Sequence, residues 1–376
     1  MRVAHLVSNF KWTERSEPAA DLAVAQQAAG AEVFFLCGRN RLRPEDSIEV
    51  RAARKGLDVH RLDFPKHFRL TTVSRDVRAL RRFVAERRVD VLHSHLPNAH
   101  LLSVIACRGR EPRPRIVRSS YGPDGPYPTF RFRRLCLSST DGLLVAGEAA
   151  RAVVRERFRL PPERVACLEP GIDLARFSNP EVQADRPGFG LAEDDFVVGM
   201  VTAIGPRRRL DIVLDAVRRL APDHPRLRLM IVGRGKIEAM IEEPARAMGI
   251  RDRIVLPGYC RDDRLVAAYR AMDVFAYPVP GTDPSARAIR EAMAAGTAVL
   301  AGRTGFLPEL LEDGTCGRLC DVDGTAFADG IRSLTDDTER VRLARAGSEA
   351  ARRRFDPRKQ AEASLRFYEA LRRTGT

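Results

Sequence analysis

The sequence has few aromatic residues, few lysines and no long hydrophobic run. Aromatic residues are 6% of the 376 positions, which is sparse for the stacking surfaces that hold single-stranded nucleic acid. Apolar runs such as residues 196–204 fall short of the roughly 18–20 residues that span a bilayer. The amino terminus also lacks the apolar stretch of a secretory signal. We therefore expect no nucleic-acid partner, and a protein that is cytoplasmic or peripheral at the inner face of the membrane.

The seven cysteines lack the spacing of a metal site or a disulfide framework. Their number is odd, they are scattered, and no C-x-x-C pair occurs. Cys316 and Cys320 are the closest pair, but a zinc site would need two more ligands and no histidine lies near them in the sequence. We predict reduced, mostly buried thiols and no metal.

Positive charge is in excess, and most of it comes from arginine. Lys+Arg number 64 against 50 for Asp+Glu, a net charge of +14, and only five residues are lysine. One interpretation is contact with an anionic membrane, where each basic residue near the surface contributes about 1 kcal/mol. The alternative is a genome-wide preference for arginine codons, with no functional meaning.

A predicted helix at residues 74–88 illustrates both interpretations. Its apolar positions Val77, Leu80 and Val84 fall on one face. The outward face carries four arginines: Arg75, Arg78, Arg82 and Arg88. Such a face either contacts phospholipid head groups or is simply solvated.

The length favours two domains, and the two halves of the chain start alike. Residues 2–8 read as a buried strand followed by a loop and a helix at 19–29. Residues 196–220 repeat this order of strand, turn and amphipathic helix. Strands that alternate with helices predict parallel sheets.

The most informative segment, residues 273–309, reads as strand, helix, strand. Asp283 is a preferred N-cap, and Pro284 is suited to the first helical position. The predicted helix runs over 284–295 and stops at Gly296. A helix start beyond the end of a parallel strand offers free amides to an anion, so we expect a phosphate near Ser285 and Ala286.

Two carboxylates on this helix are candidates for contacts to a sugar and a ribose, and we expect Glu291 to be exposed rather than part of a core. Asp283 and Glu291 lie eight residues apart, which places them on one side of a helix and about 12 Å apart along its axis. The alternative is that Asp283 is only a cap, and that Glu291 only pairs with Arg287 four residues before it.

The same segment resembles the donor-site helix of the retaining GT-B glycosyltransferases of family 4. Its matching residues are Asp283, Glu291, Ala292, Met293, Ala294, Gly296, Pro308 and Glu309. An aspartate replaces the usual first glutamate, as in the subset that also carries Arg287 four residues later. The resemblance implies an α/β fold of GT-B type, with two doubly wound, Rossmann-like domains that face each other across a cleft.

The resemblance also implies domain boundaries and a donor site. We expect an acceptor domain at 1–178, a donor domain at 179–355, and a last helix at 356–376 that crosses back to the first domain. The expected catalytic residues are Asp283, Glu291 and Arg208. The expected donor-binding residues are Arg207, Gly233, Gly235, Tyr259, Cys260, Ser285, Ala286 and Arg287. The chain departs from the family at Ala203, where an arginine is usual, and at Arg208, where a lysine is usual.

On the acceptor side, residues 90–100 resemble the family's Asp-Val-x-His-x-His strand end. We expect His95 near the substrate and Asn98 on the following loop. Tyr121 and Gly122 stand where many relatives have His-Gly, and a phenol can still donate a hydrogen bond. Residues 16–21 replace the usual glycine-rich first loop.

These features together predict a retaining glycosyltransferase that uses a nucleotide-sugar donor and no metal. The acceptor would be a glycan, a lipid-linked molecule or a small molecule, in cell-envelope glycoconjugate or polysaccharide synthesis. Two alternatives stay open. The first is a catalytically degenerate GT-B-like binding protein, because three family features are replaced. The second is another GT-B enzyme such as a nucleotide-sugar epimerase, which residues 283–309 argue against.

Overall fold

The computed structural model describes residues 1–13, 16–39, 47–63, 70–122, 125–126, 129, 132, 136–280 and 286–373. The chain forms two compact units. The first contains Met1–Gly171 and Pro357–Thr376, and the second contains Ile172–Asp356. The boundaries predicted from the sequence, after residues 178 and 355, stay predictions.

The first unit alternates strands and helices. Its elements, in chain order, are β1 Arg2–Val7, α1 Ser16–Ala28, β2 Glu32–Gly38, α2 Ile48–Arg54, β3 Asp58–Leu62, α3 Leu70–Arg87, β4 Val91–Ser94, α4 Pro97–Cys107, β5 Arg115–Ser120, β6 Gly142–Val145, α5 Glu148–Phe158 and β7 Val165–Cys167.

The second unit follows the same alternation. Its elements are α6 Leu174–Phe177, β8 Phe196–Val201, α7 Leu210–Leu220, β9 Leu227–Val232, α8 Glu243–Ala247, β10 Ile254–Gly258, α9 Asp262–Ala271, β11 Val274–Tyr277, α10 Arg287–Ala295, β12 Ala298–Gly302, α11 Leu307–Leu310, β13 Arg318–Cys320, α12 Gly324–Ser333 and α13 Asp337–Arg354. The last helix, α14 Pro357–Arg373, belongs to the first unit.

Both sheets are parallel and doubly wound. The strand orders are β3-β2-β1-β4-β5-β6-β7 in the first unit and β10-β9-β8-β11-β12-β13 in the second. The direction of winding reverses between β1 and β4 and between β8 and β11. Ligands of such sheets bind beyond the carboxyl ends of the strands at the reversal. The loops after β1, β4, β8 and β11 are therefore the places to look for a site.

Two helix starts in the first unit differ from the sequence predictions. Helix α1 begins at Ser16 rather than Ala19, because Pro18 lies in its first turn, where its missing N–H is tolerated. Residues 16–21 are thus helix rather than loop. Helix α3 begins at Leu70 rather than at Ser74. The arginines predicted to face outward, Arg75, Arg78, Arg82 and Arg88, are exposed as expected.

The cysteines are free and mostly buried, as predicted. All seven are free thiols, and five of them are buried. Within the described part of the chain, no helix combines the length and the apolar character that crossing a membrane requires.

Helix α14 completes the core of the first unit. Its Tyr368 and Leu371 are buried together with a strand residue from each of β1, β4, β5 and β6. Those strand residues are Val3, Val91, Val117 and Leu144. Helix α14 thus packs on one face of the first sheet.

We predict that Leu371→Ala destabilises the first unit by about 2–5 kcal/mol, because it leaves a cavity beneath α14. Urea unfolding followed by the fluorescence of Trp12, the only tryptophan, reports on that unit. The matched control on the same helix is Arg366→Ala, since Arg366 is exposed and pairs with exposed Glu362. Equal unfolding midpoints for the two variants would contradict the packing role.

Candidate functional site

The loops that follow β8 and β9 are joined by backbone hydrogen bonds. Ile204 donates its amide to the Arg234 carbonyl at 2.9 Å and accepts from the Lys236 amide at 3.0 Å. The amide of Gly233 donates to the Gly258 carbonyl at the end of β10, at 2.8 Å. Three strand ends of the second sheet therefore present one connected edge.

Gly233 and Gly235 make this close approach possible. Their φ angles are +155° and +153°. A Cβ atom on Gly233 would lie 1.8 Å from the carbonyl oxygen of Thr202, and one on Gly235 would lie 2.0 Å from that of Ile204. Both glycines were predicted as donor-binding residues. Any side chain at either position would clash with the neighbouring backbone, whether or not a ligand is bound.

The predicted arginine pair lies at the reversal of the second sheet. Arg207 and Arg208 belong to the turn Pro206–Arg208 between β8 and α7. Arg207 is exposed and Arg208 is half-buried. Arg209 is engaged with Asp211 at 3.2 Å. The turn brings a concentrated positive charge to the carboxyl end of β8, which suits an anionic ligand.

Tyr259 and Cys260 follow β10 and differ in their environments. Tyr259 is 50% exposed, and the guanidinium groups of Arg234 and Arg261 each lie 4.9 Å from its ring centroid. Cation–π contacts of this kind hold the ring in place. Cys260 is buried in the core, so it can contribute to a surface site only through its backbone.

Helix α10 starts later than the sequence predicts. Its N-cap is Ala286, which is buried, and its first residue is Arg287 rather than Pro284. The predicted contacts Asp283 and Ser285 lie outside the described residues, so their roles stay predictions. Gly296 ends the helix with φ +82°, as predicted.

Glu291 is buried, which corrects the expectation of an exposed carboxylate. Its side chain is 6% exposed. One oxygen accepts from Arg287 Nε at 2.8 Å and the other from the Tyr269 hydroxyl at 2.9 Å. The pair of Arg287 and Glu291 that the alternative interpretation expected is present, but Glu291 is also bonded to the core residue Tyr269.

Tyr269 is a residue that the sequence analysis missed. It lies on α9, is fully buried, and packs against Phe177 and Phe275. Its pKa is raised well above the usual value, first by burial and then by the charge of Glu291. The phenol is therefore a fixed donor to the carboxylate. The apolar pattern of α9 predicts a core position for Tyr269 and gives no indication of a polar partner.

The acceptor-side candidates His95 and Tyr121 are in contact. His95 Nδ1 and the Tyr121 hydroxyl are 2.6 Å apart, and the two rings stack with a centroid separation of 6.1 Å. His95 is 1% exposed, whereas Tyr121 is half-buried. Gly122 follows directly, and its carbonyl accepts from the Gly125 amide at 3.1 Å. Tyr121, rather than His95, is the member of the pair that solvent reaches.

Asn98 lies in the first turn of α4, and not on a loop as predicted. Pro97 starts this helix after a two-residue connection from β4, because proline is well suited to a first helical turn. Asn98 is half-buried there. Its neighbour His100 is also helical; it is buried and bonded to Thr140 at 2.8 Å.

His5, His93 and His95 form a buried cluster. Their ligand atoms all lie within 4.8 Å of one another, a grouping from which metal sites can be built. Each ring also has protein partners: His5 contacts His95 and Gln26, and His93 contacts Ser119 and Tyr368. The metal-free prediction stays a prediction, and the hydrogen bonds account for the cluster as it stands.

Burial lowers the pKa of these histidines. The pKa of His5 falls to about 4 and that of His100 to about 3. The pKa values of His93 and His95 lie well below the usual range, because of burial first and neighbouring positive charge, including Arg118, second. All four rings are therefore neutral at pH 7.

We predict that acid destabilises the first unit. The unfolded chain takes up these protons near pH ~6.5, while the folded pKa values are lower. The stability from neutral burial is thus complete above about pH 6.5 and is lost as the pH falls toward 4. Each histidine contributes up to about 1.4 kcal/mol per pH unit in that window. Urea unfolding monitored by Trp12 should show a clearly lower midpoint at pH 5.5 than at pH 7.5, and equal midpoints would contradict the assignment.

We predict that Glu291→Gln costs about 2–3 kcal/mol of stability, since it removes a buried charge partner of Arg287. Tyr269→Phe removes one hydrogen bond and should cost about 1 kcal/mol. The matched control is Glu349→Gln, because Arg345 and Glu349 form the same i,i+4 pair on an exposed surface. Chemical denaturation of the three variants measures the differences. A cost for Glu291→Gln no larger than that for Glu349→Gln would show that burial of the pair is irrelevant.

Comparisons with known proteins agree with this architecture. The family described as "Glycosyltransferase Family 4" matches residues 19–176, and "Glycosyl transferases group 1" matches residues 181–354. The phosphatidyl-myo-inositol mannosyltransferase of Mycobacterium leprae is 30% identical over 308 residues, which cover 79% of this chain and 78% of that protein. The D-inositol 3-phosphate glycosyltransferase of Mycolicibacterium smegmatis is 32% identical over 61% of this chain and 53% of that protein.

Solved structures share the fold at low identity. Anabaena Alr3699/HepE in complex with UDP superposes with a TM-score of 0.81 at 18% identity, and the match covers 98% of this chain and 100% of that one. A glycosyltransferase from Rickettsia africae has the same TM-score at 12% identity, with 98% of each chain covered. Two parallel α/β units of seven and six strands, together with these relatives, define the fold as GT-B. The chain is a glycosyltransferase and belongs to the GT-B glycosyltransferases of family 4.

Proposed function

We propose that the protein is a retaining glycosyltransferase that takes its sugar from a nucleotide-sugar donor bound to the second unit. The observation that carries the proposal is the reversal point between β8 and β11. The turn that holds Arg207 and Arg208 follows β8, and the helix that holds Glu291 follows β11. Positive charge and a hydrogen-bonding carboxylate thus follow the two strands at whose carboxyl ends a doubly wound sheet binds its ligand.

In this proposal the arginine turn holds the donor diphosphate. Arg207 is exposed to solvent. A guanidinium group can donate two parallel hydrogen bonds to two oxygens of one phosphate. The Anabaena protein of the same fold was solved with UDP and with UDP-glucose, which supports a nucleoside diphosphate as the ligand class. The base would lie near Tyr259, at the end of β10.

Glu291 is proposed to accept hydrogen bonds from the ribose hydroxyls of the donor. Arg287 and Tyr269 each hold one of its two oxygens, so the carboxylate is fixed in direction. An ionised carboxylate only accepts hydrogen bonds, so the ribose hydroxyls would be the donors. Glu291 would thus contact the ribose, as predicted, and would also stabilise the core through Tyr269. The structural role explains why the residue is buried rather than exposed.

The departing diphosphate is proposed to be stabilised without a metal. Arginines at the β8 turn and the amides at the start of α10 would meet the charge that develops on the leaving oxygen. Among the described residues at the reversal point between β8 and β11, none is an evident nucleophile. We therefore assign retention of configuration from family membership alone, and name no covalent intermediate.

The acceptor is proposed to bind the first unit and to be a glycan or a lipid-linked molecule of the cell envelope. The relative from Mycobacterium leprae is named as a mannosyltransferase for phosphatidyl-myo-inositol, which supports a lipid-linked acceptor. The exposed arginines of α3 support peripheral contact with an anionic membrane.

We predict that replacing Arg207 and Arg208 with alanine weakens nucleoside-diphosphate binding by about tenfold or more, because charge-assisted bonds are each worth about 1.5–3 kcal/mol. Nucleoside binding should stay within about twofold. Calorimetric titration of UDP, GDP and the two nucleosides measures both. Arg218→Ala on α7 is the control, since Arg218 is a surface residue paired with Asp215. An equal change for diphosphate and nucleoside would place the diphosphate elsewhere.

A further inference from the structure

A chain of buried hydrogen bonds connects helix α14 to Tyr121. It starts at Ser364, passes through the Gln26 side chain, and continues through His5 and His95 to the Tyr121 hydroxyl. Its successive separations are 2.7, 2.8, 2.9 and 2.6 Å. Every member except Tyr121 is buried. All of them belong to the first unit.

The direction of the first bond is set by a backbone carbonyl. The Ser364 hydroxyl donates to the carbonyl of Ala361 at 2.7 Å, and a carbonyl can only accept. Because Ser364 has one proton, its oxygen must accept from Gln26, so the amide NH2 of Gln26 faces α14. The amide oxygen of Gln26 therefore faces His5.

The remaining directions follow from neutral imidazole rings. His5 must donate from Nε2 to the Gln26 oxygen, which leaves its Nδ1 as an acceptor. His95 then donates from Nε2 to His5 and accepts at Nδ1. The proton between His95 and Tyr121 must come from the phenol. The one proton that this phenol can donate is therefore committed to His95.

A second branch leaves Gln26 on the other side. Its amide also donates to the Tyr368 hydroxyl at 3.2 Å. That hydroxyl contacts His93 Nδ1 at 2.8 Å, and His93 Nε2 contacts Ser119 at 2.7 Å. The same reasoning gives His93 the Nε2–H tautomer. This branch does not pass through Tyr121, so it supplies an internal control.

We propose that Gln26, oriented by helix α14, makes the Tyr121 oxygen a hydrogen-bond acceptor toward the acceptor substrate, and that Tyr121 therefore recognises a hydroxyl group rather than an anionic oxygen. A hydroxyl can donate to the phenol oxygen, whereas a phosphate or carboxylate oxygen would need the proton that His95 holds. Tyr121 is thus a specificity-determining residue and Gln26 a positioning residue. This assignment rests on the proposed function, because it takes the first unit as the acceptor side.

The tautomers can be measured directly. In protein with selectively 15N-labelled histidine at neutral pH, long-range 1H–15N correlations should show Nε2–H tautomers for His5, His93 and His95. Gln26→Met should change the signals of His5 and His95, while Tyr368→Phe should change only that of His93. Nδ1–H or doubly protonated rings at His5 or His95 in the parent protein would overturn the direction of the chain. The parent spectrum decides this even where Gln26→Met fails to fold.

Recognition of a hydroxyl is tested with two probes, myo-inositol as a neutral polyol and inorganic phosphate as an anion. The His95 signal should shift with myo-inositol in the parent, and the apparent affinity should fall about tenfold or more in Tyr121→Phe. Tyr368→Phe should stay within about twofold of the parent. A response to phosphate alone, or to neither probe, would overturn the hydroxyl assignment. Absence of nucleotide binding by the parent would instead contradict the proposed function and leave the tautomer result standing.

Discussion

Parallel pairing of the strands is the constraint on which the rest of the structure depends. All the pairings among the named strands of both sheets are parallel. Parallel strands need helical crossovers, so every strand end of one polarity meets at the same edge. In the second unit this edge gathers the arginine turn, the two tight glycines and Tyr259. In the first it gathers His95, Asn98 and Tyr121.

The same constraint explains why polar side chains are buried near these edges. Helices cover both faces of a doubly wound sheet, so a histidine or glutamate next to a strand loses its contact with water. In the first unit the buried polar groups are neutral histidines, which form hydrogen bonds with one another and with Gln26. In the second unit the buried polar group is the carboxylate of Glu291, which accepts hydrogen bonds from Arg287 and Tyr269. Both arrangements fix the direction of a side chain. They also make the first unit sensitive to acid and the second unit sensitive to the loss of a hydrogen-bond partner.

Much of the fold could be predicted from local patterns. Strands β1 and β11 and the glycine stop of α10 follow from apolar runs and from single residues with strong preferences. The ordered pairs within one helix, such as Arg287 and Glu291, follow from spacing. The fold class came from the resemblance of residues 283–309, and both the family and the fold are confirmed.

The missed features are contacts between residues far apart in the sequence. Gln26 meets Ser364 and Tyr368 across more than 300 residues, and no local pattern contains that information. Tyr269 was indistinguishable from a core aromatic, and its contact with Glu291 made the exposure of that carboxylate unpredictable. Asn98 was assigned to a loop because a proline after a strand indicates either a turn or a helix start.

The central claim is that the donor binds at the reversal point of the second sheet, with its ribose on Glu291. The most direct test is calorimetric titration of the preferred nucleoside diphosphate into the parent protein and into folded Glu291→Gln. The variant keeps the shape of the side chain but loses the charge and half of the acceptor positions. We predict affinity about tenfold lower or weaker still, since bonds to a charged acceptor are worth about 1.5–3 kcal/mol. Unchanged affinity in the folded variant would contradict the claim and reduce Glu291 to a structural partner of Arg287 and Tyr269.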